Sequence, residues 1–108
     1  MMLSLLVSLA QAGDATAGKA SYDVLCATCH GATGGGDGVA GAALTPKPAN
    51  FTDKAWWEGK TDEGITKVIA EGGAANGLSP LMPPFGTSLK ADEVANVVAY
   101  IKTMKPAE

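Results

Sequence analysis

The stretch Cys26-Ala27-Thr28-Cys29-His30 contains both cysteines and the single histidine of the chain. On a helix, two thiols at this spacing share one face, and the imidazole follows in the same turn. The C-x-x-C-H spacing is the arrangement used for covalent attachment of a c-type haem. Each thiol can add to a vinyl group, and the imidazole can reach the iron as the proximal ligand. The motif therefore predicts one haem c bound by Cys26, Cys29 and His30.

A thioredoxin-like redox pair and half of a zinc site are the two other interpretations of this motif. A zinc ribbon needs a second pair of ligands, and the motif already uses every cysteine and histidine of the chain. A thioredoxin-like pair lies near a βαβ pattern, and the sequence shows no alternating strand pattern. Haem attachment is therefore the favoured interpretation.

The second axial ligand of the iron must come from outside the motif, and the chain has no second histidine to supply it. Met1 and Met2 fall in an apolar N-terminal block, and Met104 continues the apolar stripe of the last predicted helix, which favours core packing. Met82 lies in a segment, 79–85, whose three prolines exclude a helix. A lone methionine is often a packing residue. The stiff loop and the lack of rivals nevertheless favour Met82 as the axial ligand.

Three helices are predicted around these residues. Asp14 or Thr16 caps the first, which runs into the motif, and Thr61 or Asp62 caps the second, which ends at the Gly72-Gly73 pair. The third helix has apolar residues at positions i, i+3, i+4 and i+7, namely Val94, Val97, Val98 and Ile101.

The segment 31–60 has no sustained helical period, and its glycines are followed by Pro46 and Pro48. A structureless segment of this length is uncommon in a compact domain unless it wraps a partner. Without strand patterns or internal repeats, the chain is predicted to be all-α. Its three main helices and long loops would wrap around one covalent haem.

The length and composition of the chain limit the number of domains and the classes of partner. A chain of 108 residues is expected to form one domain. Its eight cationic residues are all lysine, and eleven acidic residues give a formal net charge of −3. Arginine supplies the bidentate fork that recognises phosphate and guanine, so its absence argues against nucleic acid as a partner.

Residues 1–12, MMLSLLVSLAQA, form the one strongly apolar block of the sequence. The block ends in Ala10-Gln11-Ala12, which has the A-x-A pattern of a cleavage site, so we predict a secretory signal over 1–12 and a domain over 13–108. The block is too short to be a transmembrane segment. The alternative is an ordinary N-terminal helix that docks on the domain. A signal would place the protein in the periplasm or otherwise outside the cytoplasm.

Together, the haem motif, the methionine loop and the closing helix resemble a class I c-type cytochrome, a small soluble monohaem protein. The resemblance extends from about Asp14 to Lys105. It implies the small cytochrome c fold, in which the first and last helices cross at a close contact. In this sequence, the residues that match that contact are Gly18 and Tyr22 on one side and Tyr100 on the other.

The sequence departs from the family pattern at two places. Val39 stands where the family often has a proline, near the carbonyl that holds the proximal histidine, so that carbonyl is not identified. Lys90 stands where the last helix usually has a serine or threonine cap, and Ser88 is the alternative cap.

In similar proteins a tryptophan donates to a haem propionate. Trp56 or Trp57 could have this role, or both could simply pack in the core.

The resemblance implies a one-electron carrier and not an enzyme, because histidine and methionine fill both axial positions of the iron. The expected partners are redox donors and acceptors such as membrane oxidase or reductase complexes. The protein is expected to contact them as a monomer through a small transient interface. Two alternatives stay open. One is a ligand-binding or sensor haem protein, and the other is an electron-transfer subunit of a larger oxidoreductase complex.

Overall fold

The computed structural model describes residues 13–107, so the predicted signal over 1–12 lies outside the described residues. Within this part of the chain there are four α-helices: α1 (Ala15–Leu25), α2 (Ala27–His30), α3 (Asp62–Glu71) and α4 (Ala91–Lys102). Three short 3-10 turns lie at Gly41–Ala43, Lys54–Trp57 and Ala74–Asn76. Residues 13–107 contain no strand, which confirms the all-α class. None of the helices described is both long enough and apolar enough to cross a membrane.

The three longer helices begin where side chains satisfy free backbone N–H groups. The Asp14 carboxylate accepts two such groups of α1, and the Thr61 hydroxyl accepts one of α3. The N-cap of α4 is Lys90, not Ser88, and the Glu93 carboxylate accepts the Lys90 N–H at 2.8 Å. This last bond is half of a capping box, so α4 begins here without a serine or threonine cap.

The first helix runs into the motif, as predicted, but a turn at Cys26 separates it from the short helix of the remaining motif residues. The backbone there has φ −113° and ψ −34°, well away from helical φ, so α1 ends at Leu25 and α2 starts at Ala27. Cys26 still donates its N–H to the Tyr22 carbonyl, and its own carbonyl accepts the His30 N–H at 2.9 Å. Cys26 therefore ends one helix and begins the next, and the two cysteines lie on different elements.

Helices α1 and α4 cross in close contact, as the resemblance implies. A Cβ on Gly18 would collide with the Asn96 carbonyl and the Val97 nitrogen, so only glycine allows this approach. The fully buried ring of Tyr22 meets Tyr100 edge-on, with centroids 5.2 Å apart. The expected contact is corrected in one respect: Gly18 faces the backbone of α4, while the half-buried Tyr100 packs on Tyr22.

One hydrophobic core joins this crossing to α3 and to the long loop. Its buried members are Tyr22, Cys26, Phe51, Trp57, Ile65, Ile69, Leu89, Val94, Val97, Val98 and Ile101. Phe51 and Trp57 come from the segment 31–60, which the sequence predicts to be irregular. That segment contains two 3-10 turns and is anchored by these two aromatic side chains.

Replacing Gly18 with leucine is expected to destabilise the protein by at least about 1–3 kcal/mol, because the new side chain would hold α1 and α4 apart. Ala20 is exposed on the same helix. Ala20→Leu should therefore change stability by less than about 0.5 kcal/mol. Thermal denaturation of the two haem-loaded variants measures the difference. Equal losses would show that the helices do not meet at Gly18.

Candidate cofactor site

The two cysteines of the motif are free thiols in different environments. Cys26 is buried in the core, and Cys29 is half-buried on α2. Burial raises the pKa of the Cys26 thiol to about 11, with a further contribution from nearby Cys29. Cys26 is therefore a protonated thiol at neutral pH, and the motif offers two sulfur atoms that are not joined in a disulfide.

The imidazole of His30 is oriented by a backbone carbonyl. Its Nδ1 lies 3.1 Å from the oxygen of Ala49, and a carbonyl can only accept, so Nδ1 carries the hydrogen. Nε2 is then the nitrogen with a free lone pair, which is the tautomer that a metal ligand requires. Burial lowers the pKa of His30, partly opposed by the Ala49 bond, and this favours the neutral ring. The carbonyl that the sequence did not identify thus belongs to Ala49.

Phe51 covers one face of the His30 ring and was not singled out by the sequence. The two rings are stacked, with centroids 4.7 Å apart and an interplanar angle of 19°. The Phe51 N–H donates to the Gly34 carbonyl at 2.7 Å, and the indole N–H of Trp57 donates to the Phe51 carbonyl at 2.8 Å. The N–H of Trp57 is therefore used within the protein. Of the adjacent pair, this leaves Trp56 as the candidate for a propionate contact.

A buried hydroxyl holds the carbonyl of Gly31, the residue that follows His30. The Tyr22 hydroxyl donates to the Gly31 carbonyl at 2.7 Å, in a fully buried position. Burial is the main cause that raises the pKa of Tyr22 above its ordinary value, so the phenol remains a donor. Gly31 has φ +87°, and a Cβ there would collide with the Asp37 carboxylate, so the turn requires glycine.

Met82 lies on a non-helical loop, as predicted, and its half-buried side chain packs against the core that contains Cys26. Its carbonyl accepts the Gly73 N–H at 2.9 Å, and its N–H donates to the Ser79 carbonyl at 3.2 Å. A Cβ on Gly73 would collide with the same Ser79 carbonyl, so the loop closes tightly on itself. The loop thus fixes the Met82 backbone at the edge of the core.

Met104 has a different setting, in agreement with the packing role expected for it. It follows α4, and its N–H donates to the Ile101 carbonyl at 2.9 Å. Its sulfur lies against Gly34, next to Phe51, where a Cβ on the glycine would displace it. Met104 therefore joins the end of α4 to the long loop.

These donors fit a covalently bound haem. Two free thiols, an imidazole with Nε2 available and a thioether match the ligand types of a c-type haem. Of these residues, Cys26 belongs to the core and Met82 packs against it. Grooves of about 600 and 500 Å³ lie between α3 and α4 and beside the segment 27–39, and neither is lined by His30 or Met82. In residues 13–107, no group of three or more His, Cys, Asp or Glu side chains could hold a metal ion.

Comparison with known proteins gives consistent results. Residues 15–105 match the family model described as Cytochrome c. Cytochrome c-554(547) of Halothiobacillus neapolitanus is 35% identical over 87% of this chain and 100% of that protein. The Cbb3-type cytochrome c oxidase subunit FixP of Sinorhizobium medicae is 34% identical over 85% of this chain but only 30% of its own length. The solved structure of the KustC0563 c-type cytochrome matches 82% of this chain and 98% of its own, with a TM-score of 0.63 and 28% identity.

Replacing Tyr22 with phenylalanine keeps the ring pair but removes the donor to Gly31, and it is expected to cost about 1–3 kcal/mol because a buried carbonyl loses its partner. Tyr100→Phe is the matched control, since it removes a hydroxyl from the half-buried ring of the same pair. Chemical denaturation of the haem-loaded variants measures both losses. A Tyr22→Phe protein as stable as the control would mean that the buried hydrogen bond contributes nothing.

Proposed function

The chain belongs to the cytochrome c family, and we propose that Cys26, Cys29, His30 and Met82 are the residues that hold its haem. As a member of this family the protein is a one-electron carrier with covalently attached haem c. The observation that carries the proposal is the bond from His30 Nδ1 to the Ala49 carbonyl, which leaves Nε2 available for iron. When bound, the haem supplies the one-electron couple of its iron.

In this proposal the two cysteines attach the ring and Met82 completes the coordination. Cys26 and Cys29 would hold it through thioether bonds from two different elements, one at the end of α1 and the other on α2. Met82 supplies a soft thioether ligand, which favours the ferrous state relative to a second imidazole. Gly73, just after α3, donates its N–H to the Met82 carbonyl, so the loop that carries the thioether is tied to the end of that helix.

The same arrangement favours electron transfer over catalysis. With His30 and Met82 as its ligands, the iron would have no open position for a substrate. A peroxidase also needs a distal acid–base group, typically a histidine, and His30 is the single histidine of the chain. Large apolar side chains at Leu78 and Leu81 are exposed beside Met82 in sequence. They offer apolar surface for a small transient contact with a redox partner.

We further propose that residues 1–12 are a secretory signal, that residues 13–108 form the mature domain, and that this domain works outside the cytoplasm as a monomer. The block over 1–12 has the length, apolar character and A-x-A ending of a signal. The partners in this proposal are donor and acceptor proteins, including membrane oxidase or reductase complexes.

A subunit of a larger complex is the second candidate. The similarity to the FixP subunit of a Cbb3-type cytochrome c oxidase supports it, because this chain matches about a third of that protein. The free carrier remains the first proposal, because cytochrome c-554(547) is matched over its whole length. Size-exclusion chromatography of the protein from its native host separates the two, since a free carrier elutes as one small domain, whereas a subunit elutes with its complex.

The first functional prediction concerns attachment of the haem. Replacing Cys26 or Cys29 with alanine should leave at most one thioether and sharply lower the yield of haem protein. Replacing both should give a protein that does not fold, because the long loop loses the group that it wraps. Acid–acetone extraction is the measurement. Free release of haem from the wild-type protein would contradict covalent attachment.

The second functional prediction concerns Met82. Met82→Ala should keep the covalent haem, while the ferric spectrum becomes partly high-spin and the ferrous form binds carbon monoxide. The reduction potential should fall, because the thioether that favours ferrous iron is lost. Visible spectroscopy and redox titration measure these changes.

Met104→Ala is the matched control for Met82→Ala. It should lower stability, because the sulfur packs against Gly34, but it should leave the spectrum and the potential nearly unchanged. If the two variants exchange these behaviours, Met104 is the ligand. If neither variant alters the iron, the sixth position is not held by methionine and the carrier proposal loses its basis.

A further inference from the structure

We propose that Phe51, held in place by Trp57, shields the proximal imidazole from water and so raises the reduction potential of the haem. The inference rests on the proposed role of His30 as an iron ligand. Phe51 contacts the ligand directly, whereas Trp57 is a positioning residue that acts through Phe51.

The first step is the contact between Phe51 and His30. The rings are nearly parallel, with an angle of 19° and centroids 4.7 Å apart, so one whole face of the imidazole is covered by an aromatic ring. Phe51 itself is only 5% exposed. Water is therefore excluded from that face of the ligand by a side chain that is part of the core.

Two hydrogen bonds of its own backbone hold Phe51 in place. Its backbone N–H donates to the Gly34 carbonyl, and its carbonyl accepts the buried indole N–H of Trp57 at 2.8 Å. Trp57 is fixed in turn, because its ring meets Trp56 edge-on at 4.9 Å and Lys105 lies over it at 5.7 Å. The indole is therefore the side-chain donor that sets the position of Phe51.

Shielding of the imidazole by Phe51 is expected to raise the reduction potential of the haem. A dry, apolar shell around an iron ligand penalises the extra positive charge of the ferric state and so raises the potential. Phe51→Leu keeps an apolar side chain and leaves both backbone hydrogen bonds of residue 51 in place. It also leaves Ala49 free to accept from His30, so the main change is the loss of the stacked ring. The potential should therefore fall.

Redox titration of the mature haem protein tests the proposal in a double-mutant cycle of Phe51→Leu and Trp57→Phe. Each single variant should shift the potential downward while the spectrum stays low-spin. In the Phe51→Leu background, Trp57→Phe should add little, because the indole acts through a ring that is no longer present. Exchange of the His30 Nδ1 hydrogen with solvent, followed by NMR, should be faster in each single variant than in the wild type.

Tyr100→Leu is the control, because it removes a ring from the other aromatic pair of the core, that of Tyr22 and Tyr100. It should lower stability and leave the potential and the exchange rate unchanged. An unchanged potential in Phe51→Leu, or additive shifts in the double variant, would overturn the proposal. If Phe51→Leu does not mature, the potential and exchange rate of Trp57→Phe decide between the same two outcomes.

One measurement on the wild-type protein separates failure of this inference from failure of the proposed function. Strongly shifted NMR signals of the His30 imidazole in the ferric state would identify it as the iron ligand. Without them the ligand assignment fails, and the inference fails with it. If they are present while Phe51→Leu leaves the potential unchanged, only the role of Phe51 is overturned.

Discussion

The hydrogen bond from His30 Nδ1 to the carbonyl of Ala49 links the haem motif to a loop residue 19 positions further along the chain. It decides which nitrogen of the imidazole faces the iron in the proposed site. It also brings Phe51 to the face of the same ring, since residues 49–51 are one short segment. The position of the long loop therefore depends on the histidine, and the chemistry of the histidine depends on the loop.

The rest of the fold supports this contact from both sides. The crossing of α1 and α4 at Gly18 places Tyr22 in the core, and from there its hydroxyl holds the carbonyl of Gly31, the residue that follows His30. On the loop side, the indole of Trp57 holds the Phe51 carbonyl. A chain of this length buries a limited share of its surface, so a covalently attached haem adds apolar contact that the protein part alone does not supply.

The parts of the fold that follow from local chemistry could be predicted from the sequence. These parts are the caps at Asp14 and Thr61, the helix α4 and the non-helical loop around Met82, which all depend on neighbouring residues. The break at Cys26 could not be predicted, because the spacing of the motif is compatible with one continuous helix. Nor could the Ala49 carbonyl, since every residue offers a backbone carbonyl and only the tertiary fold selects one.

The hydrogen-bond partners of the tryptophans could not be predicted from the sequence either. Adjacent tryptophans are large apolar rings with one donor each, and the sequence does not say where each donor points. The fold assigns the N–H of Trp57 to Phe51.

The central claim is that one iron is held between Nε2 of His30 and the sulfur of Met82, and a crystal structure of the mature haem protein tests it most directly. Density for both bonds and for two thioethers at Cys26 and Cys29 is expected. Iron bound by any other side chain opposite His30 would contradict it.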